Sequence, residues 1–355
     1  MVAQALYFTG PRTVAWRPEP LPRRQPGQVL VQTLLSAISA GTELLIYRGE
    51  APAELAADAT LPALRGTLSF PLRYGYACVG RVVAAEADSL PPGTPVFAFH
   101  PHQTHFLATP AELIPLPTGM DPADAVFLPH LETAVNFLHD GAPRIGEKVV
   151  VLGQGIVGLL TTALLARTAP AALLVLDRYP LRRQTALSLG ATAAFDPADP
   201  DLHAHMASWL GEEGADLVYE LSGQPEALNL ALNLAGFGAR VIIGSWYGRK
   251  TAPLDLGGRF HRSRIRLLAS QVSTIAADLS ARWNKARRLH LALELAAGLR
   301  PSQLISHRFP YAEAAVAFAL LDRRPETALQ VVLTYEEELP VGGAEDEDED
   351  DRARR

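Results

Sequence analysis

Residues 149–159 read Val149-Val150-Val151-Leu152-Gly153-Gln154-Gly155-Ile156-Val157-Gly158-Leu159. Four apolar residues run into glycines spaced Gly-x-Gly-x-x-Gly, and an apolar stretch follows. This is the form of a buried strand turning sharply into a helix, the context that gives an otherwise weak motif its meaning. Gly153 permits the tight turn, Gly155 lets a bound group approach the backbone, and Gly158 lets the helix pack close. Amide hydrogens near Gln154, Ile156 and Val157 lie at the positive end of the helix dipole, where a diphosphate is stabilised.

The next apolar run, residues 173–176, ends in Asp177, 24 residues after Gly153. A carboxylate about 20 residues beyond the turn accepts hydrogen bonds from an adenosine ribose and repels a 2′-phosphate. NAD is thereby favoured over NADP, although Arg178, Arg182 and Arg183 supply cations that tolerate the phosphate. A doubly wound domain that has lost its nucleotide is the competing reading.

Beyond this unit, strand-like runs at 192–195, 217–220, 240–244 and 265–269 alternate with helical ones at 181–189, 202–210, 225–234 and, briefly, 257–262. Six strands with such crossovers make an open parallel sheet of two mononucleotide-binding halves. The first third differs. Strand-like runs at 2–8, 29–36, 77–85 and 95–99 are punctuated by Pro18, Pro20, Pro22, Pro26-Gly27 and Pro91-Pro92-Gly93, as in a partly closed β body. Asp121-Pro122 signals a helix start, with helical pattern to about 139. After 270 come a long helix (281–297), a strand (306–309), a helix (311–321) and a last strand (328–333). These return to the first domain, giving 1–128 and 271–338 as one domain, 129–270 as the dinucleotide-binding insert and 339–355 as a solvated acidic tail.

The 355 residues suit two domains, and 48% hydrophobic with 20% charged residues is ordinary for a globular protein. The net charge of −6 is concentrated at the end: seven carboxylates at 345–351, against three arginines, supply four of those charges. The body is then near neutral, which argues against a nucleic-acid partner. No apolar run reaches the roughly 20 residues that span a bilayer, and no secretory signal is visible. The single cysteine, Cys78, excludes an intrachain disulfide and fits a cytoplasmic protein.

From residue 1 to about 335 the chain resembles the medium-chain dehydrogenase/reductase superfamily, the alcohol and sorbitol dehydrogenase relatives. The resemblance is carried by Ala40-Gly41-Thr42-Glu43, where the family has Cys-Gly-Thr-Asp, and by Gly75-Tyr76-Ala77-Cys78-Val79-Gly80, where it has Gly-His-Glu-x-x-Gly. Gly153 to Gly158, Glu220-Leu221-Ser222-Gly223 and Val241-Ile242-Ile243-Gly244-Ser245 continue it. It implies an α/β protein: a GroES-like β-rich catalytic domain plus a Rossmann doubly wound parallel-sheet domain. It further implies a nicotinamide cofactor touched by Ser222, Gly244 and Ser245, backbone contact to the carboxamide at Ser270, a small-molecule substrate and a homodimer.

Members with catalytic zinc bind it through a Cys, a His and a third Cys or Glu. Those positions here resemble Ala40, Tyr76 and Pro129, and the structural-zinc lobe after Val96 is missing. Ala and Pro cannot ligate, so no zinc is expected. Hydrogen-bond donors must then relieve the charge that develops on the substrate oxygen. Tyr76, in place of the zinc-ligand His, and Thr42, at the family's proton-relay hydroxyl, are the leading candidates, with filling of the vacated volume as the bland reading of Tyr76. His130, beside the third-ligand position, is a candidate acid or an ordinary helix-face histidine, and Glu43 is expected as a structural acceptor. His100, His102 and His105 lack usual zinc spacing and read as a loop at the substrate mouth. The basic segment 259–266 faces either a ligand or solvent. The expectation is a zinc-independent NAD(P)-dependent oxidoreductase acting on an alcohol/carbonyl pair. A reductase of activated C=C bonds or quinones, and a dinucleotide binder without turnover, are the alternatives.

Overall fold

A computed structural model describes residues 1–86 and 90–335, so the predicted acidic tail lies outside the described residues. The N-terminal hairpin pairs β1 (Val2–Gly10) with β2 (Thr13–Pro20) in antiparallel register, Phe8 opposite Val14. The sequence reading missed β2 because Pro18 and Pro20 interrupt it; a strand tolerates them here because β2 is the edge of a three-stranded sheet. Next come β3 (Val29–Ala37), a short α1 (Ala40–Arg48) ended by left-handed Gly49, and β4 (Leu72–Arg73). The strands β5 (Cys78–Ala84), β6 (Pro95–Ala98), β7 (His105–Ala108) and β8 (Leu113–Pro115) follow. The expected helix at 121–139 is two, α2 (Pro122–Ala125) and α3 (Leu128–Gly141), with Pro129 in the first turn of the second.

The glycine-rich stretch then opens the cofactor-type sheet. Its strands are β9 (Lys148–Leu152), β10 (Ala172–Leu176), β11 (Ala193–Phe195), β12 (Ala215–Glu220), β13 (Ala235–Ile243) and β14 (Arg266–Ala269). Between them run α4 (Ile156–Leu165), α5 (Pro180–Ser188), α6 (Leu202–Leu210) and α7 (Ala227–Leu234). Every pairing is parallel and the order is β11-β10-β9-β12-β13-β14. The order reverses between β9 and β12, so the carboxyl ends of these two strands border a crevice. The expected helix at 257–262 is one irregular turn, Leu256–Phe260, broken at Gly258.

The chain ends with α8 (Lys285–Leu299), β15 (Ile305–Pro310), α9 (Ala314–Arg323) and β16 (Gln330–Thr334). α8 starts later than the apolar pattern suggests, because Asn284 takes the amide of Arg287 as its cap. β15 and β16 extend the sheet of β3, β5, β6 and β8; β3 pairs with β7 along residues 29–32 and with β16 along 35–37.

A buried charge network joins the two halves. The fully buried guanidinium of Arg288 on α8 donates to Glu132 on α3 at 2.9 and 3.0 Å, to the Thr274 carbonyl at 3.1 Å, and to Asn136 and the Val272 carbonyl. Ser270, just after β14, donates to Asp140 at 2.5 Å and accepts from Asn136 at 2.9 Å. The segment leaving the parallel sheet is thus pinned to α3. Burial raises the Glu132 carboxyl while the Arg288 charge opposes the shift. Arg288→Met would leave that carboxylate buried without its partner. A loss of about 3–5 kcal/mol in unfolding free energy, read by denaturant titration, is expected.

Candidate functional site

Each motif glycine answers a different steric demand. Gly153 has φ +91°, and a Cβ there would lie 2.5 Å from the Ser222 Cα across the crevice. A Cβ on Gly158 would lie 2.1 Å from the Gly153 carbonyl oxygen. Gly155 meets nothing within 4 Å, so its face of the turn is open. It is also the N-cap of α4, and no side chain caps that helix. The first amides of α4, around Ile156 and Val157, therefore face open space at the positive end of a ten-residue helix. The amide of Gln154 differs from its neighbours: it donates to Asp177 Oδ2 at 2.7 Å.

Asp177 follows β10 and is buried, its other oxygen accepting from the Tyr179 amide at 2.9 Å. Each carboxylate oxygen keeps a further lone pair. Of the three nearby arginines, Arg182 donates to the Pro325 carbonyl at 3.2 Å, and Arg183 to the Asp177 carbonyl at 2.7 Å and to Asp196 at 3.0 Å. Arg178 is exposed.

On the other side of the crevice, fully buried Glu220 ends β12. It accepts from the Ser222 amide at 2.8 Å and the Tyr247 hydroxyl at 2.5 Å, and from the Ser222 hydroxyl. Burial, with Glu220 next in weight, pushes the Tyr247 hydroxyl upward. Ser245 accepts from the Gly223 amide at 2.9 Å, tying the ends of β12 and β13 together. A Cβ on Gly244 would lie 2.3 Å from the Phe137 ring, so this position serves close packing. Ser270 gives its amide to the Ile243 carbonyl at 2.9 Å and its hydroxyl to Asp140. Sequence reading placed Glu220 in a family-like stretch without a role and missed Tyr247; a carboxylate closing an apolar strand was the available signal.

In the β-rich half, Thr42 and Tyr76 come together. The Tyr76 hydroxyl donates to Ser39 Oγ at 2.5 Å and lies 3.5 Å from Thr42 Oγ1. Burial raises the phenol, and the Ser39 and Thr42 hydrogen bonds oppose the shift. Beneath them Glu43 is a structural acceptor, as expected: it takes the Ser39 amide at 2.7 Å and lies 3.0 Å from His102 Nε2. His102 Nδ1 is 2.7 Å from Ser36 Oγ, which is 3.0 Å from the Tyr335 hydroxyl. The histidines of the 100–105 loop do not converge: His102 joins this buried chain, and His100 stacks on Phe106 at 3.9 Å. His130 is buried on α3, edge-on to Phe127, with neither ring nitrogen hydrogen-bonded.

Residues 157–290 match the family described as zinc-binding dehydrogenase. A 2-dehydro-3-deoxy-L-galactonate 5-dehydrogenase of Pseudoalteromonas atlantica is 32% identical over 215 residues, covering 59% of this chain and 58% of that protein. D-guloside 3-dehydrogenase of Escherichia coli is 22% identical over 325 residues, 87% of this chain and 93% of that one. Among solved structures, the alcohol dehydrogenase TADH of Thermus sp. ATN1 superposes with a TM-score of 0.72 at 25% identity, over 94% of this chain and 100% of that one. Over most of its length the chain is similar to members of the medium-chain dehydrogenase/reductase superfamily. Its two-domain α/β architecture is the fold of that superfamily.

Against its zinc-binding relatives in this superfamily, the donor set here does not fit the metal. Ala40 and Pro129 offer no side-chain donor, and the Tyr76 oxygen is engaged with Ser39. Among the described residues no three His, Cys, Asp or Glu side chains gather in a metal-binding group. Cys78 is buried 3.5 Å from Thr33 Oγ1, its thiol pushed up to about 12 by burial.

The glycine geometry separates binding from folding. Gly155→Val adds its side chain on the open face and should leave the unfolding midpoint within a degree or two. Dinucleotide affinity, read by fluorescence titration, should fall at least about tenfold, a loss of roughly 1.4 kcal/mol. Burial also sets a pH dependence. It pushes His130 from 6.5 down to about 4, favouring the neutral ring in the fold. This contribution is intact above pH 6.5 and drains as pH falls toward about 4. Urea titrations across that window should show stability declining by up to roughly 3 kcal/mol from this residue, and His130→Leu should flatten the decline.

Proposed function

We propose that this chain is a zinc-independent dehydrogenase, NAD-preferring, that interconverts an alcohol and a carbonyl on a small polar substrate. Its relatives named above are dehydrogenases of sugar derivatives, which supports an alcohol/carbonyl pair. The observation that carries the mechanism is the Tyr76 phenol, hydrogen-bonded to Ser39 before α1 and to Thr42 within it; the resemblance implies that it replaces a zinc-ligand His.

The amides at the start of α4, over Gly155, would hold the diphosphate, and Asp177 would accept from the adenosine ribose. Arg183 is committed to protein acceptors, and Arg182 is held by the Pro325 carbonyl with Asp177 itself 3.9 Å away, so the NAD preference rests on the carboxylate's repulsion of a 2′-phosphate. Bound nicotinamide supplies or accepts the hydride. Tyr76 donates its proton to the substrate oxygen during reduction and withdraws it during oxidation. Thr42, half-buried, connects the phenol to solvent. We assign no proton transfer to His130, whose ring stays neutral near pH 7. No helix among the described residues is long and apolar enough to cross a membrane. We further propose a cytoplasmic homodimer paired through β14, an edge strand carrying half-exposed Leu268.

The test is a panel of secondary alcohols, polyols and aldonates incubated with NAD⁺ or NADP⁺, monitored by absorbance of the reduced cofactor. Turnover of at least one compound is expected, faster with NAD⁺, with the NAD⁺/NADP⁺ preference narrowed about tenfold or more in Asp177→Ser. Tight NAD⁺ binding without turnover of any panel member would reject the reading in favour of a non-catalytic binder.

A further inference from the structure

Ser39 stands at the N-cap of α1, where serine ordinarily accepts an amide hydrogen of the first turn. Here its hydroxyl makes no capping bond. It accepts instead from the Tyr76 phenol, at 2.5 Å, although Ser39 itself is 5% exposed. The amide of Ser39 is held separately by Glu43 Oε1, and Glu43 Oε2 by His102. Two independent sets of bonds therefore meet on one residue, its backbone fixed from below and its side chain aimed at the phenol. A serine kept for local helix stability would not need either arrangement.

We propose that Ser39 is a positioning residue for proton transfer: its hydroxyl holds the Tyr76 phenol in register and stabilises the phenolate formed during turnover, with Glu43 and His102 bracing Ser39 from behind. This deepens the reading of Tyr76 as the proton donor and rests on it. In carbonyl reduction the substrate carbon takes the hydride of reduced nicotinamide. The Tyr76 O–H bond breaks and a substrate O–H bond forms. A hydroxyl both accepts and donates, so Ser39 Oγ–H turns to donate to the phenolate, and Thr42 donates beside it. The phenol regains its proton from solvent through Thr42, and the reverse sequence serves oxidation. Two preorganised donors on a partly buried oxyanion are an arrangement that lowers the cost of charge separation. Burial raises the phenol and the Ser39 and Thr42 hydrogen bonds work against that rise, the direction this role requires.

The experiment compares Ser39→Ala, Tyr76→Phe and the double variant in the full chain. Substrate turnover uses the most active compound of the panel above, and NADH affinity is measured by fluorescence. Ser39→Ala should lower kcat by roughly tenfold to a hundredfold with NADH affinity unchanged. In the Tyr76→Phe background it should have little further effect, because the two act as a unit. Ser39→Thr, which restores a hydroxyl, should recover most of the loss and guards against misfolding of the alanine variant. A substrate-free readout is the ¹³Cζ resonance of Tyr76 in tyrosine-labelled protein, assigned by its disappearance in Tyr76→Phe. It should move in Ser39→Ala and return in Ser39→Thr, while the Tyr74 and Tyr335 resonances stay in place. Wild-type turnover in Ser39→Ala, additive losses in the double variant, or an unmoved Tyr76 resonance would overturn the role of Ser39. Full turnover in Tyr76→Phe would instead overturn the proton-donor reading beneath it, so the two failures are distinguishable.

Discussion

Gly158 lies so close to the Gly153 carbonyl that a single methyl group would overlap it, and Gly153 in turn backs onto the main chain at Ser222. This contact fixes how α4 leaves β9, and with it the direction in which the unpaired amides of the helix point. β9 is central in the parallel sheet, flanked by β10 and β12 where the strand order reverses. The flanking carboxylates are consequently placed by the same turn. Asp177 grips the amide of Gln154 from one side, and Glu220 secures Ser222 on the other. A shift of the turn into the helix would have to break the Asp177–Gln154 bond.

In the β-rich half the organising feature is polar. A continuous hydrogen-bonded chain runs from Tyr335 through Ser36, His102 and Glu43 to Ser39, and on to Tyr76 and Thr42. Most of its members are buried, and each satisfies the next. A fully connected network of this kind rigidifies its surroundings, whereas a broken one would leave costly unpaired groups. Among the described residues this region is organised by hydroxyls and one carboxylate–imidazole pair.

The parallel sheet was legible because its signals are local. Apolar runs of four to six residues alternate with amphipathic helices, and the glycine spacing marks the turn itself. The carboxylate closing β10 was legible for the same reason, by its distance from Gly153, but its bond to the Gln154 amide was not. β2 was hidden because its prolines argue against a strand anywhere but at an edge, and edges are decided by tertiary pairing. The division of the 121–139 stretch escaped notice because Asp121-Pro122 starts one helix while Pro129 sits in the first turn of another. Ser39 and Arg288 gave no signal as site or network members, and His102 was read only as part of a loop at the substrate mouth. Their distant partners lie 37, 59, 66 or 156 residues away, and no periodicity encodes such meetings. Thr42 and Tyr76 were found only through the resemblance; nothing in their own neighbourhoods distinguishes them.

The seating of β16 beside β3 has a consequence for biosynthesis. The Ile38 amide bonds to the Val331 carbonyl at 3.0 Å, and Gln330 reaches back to the Ile38 carbonyl at 2.9 Å. The strand leading directly into α1 therefore has β5 and β7 beside it early but lacks its β16 neighbour until residues 330–334 have been made. The inserted parallel-sheet unit contains all its own strands and can mature while translation continues. Loop closure over almost three hundred residues must come last. The nascent chain thus carries an open sheet margin through most of its synthesis, the interval in which chaperone protection matters most.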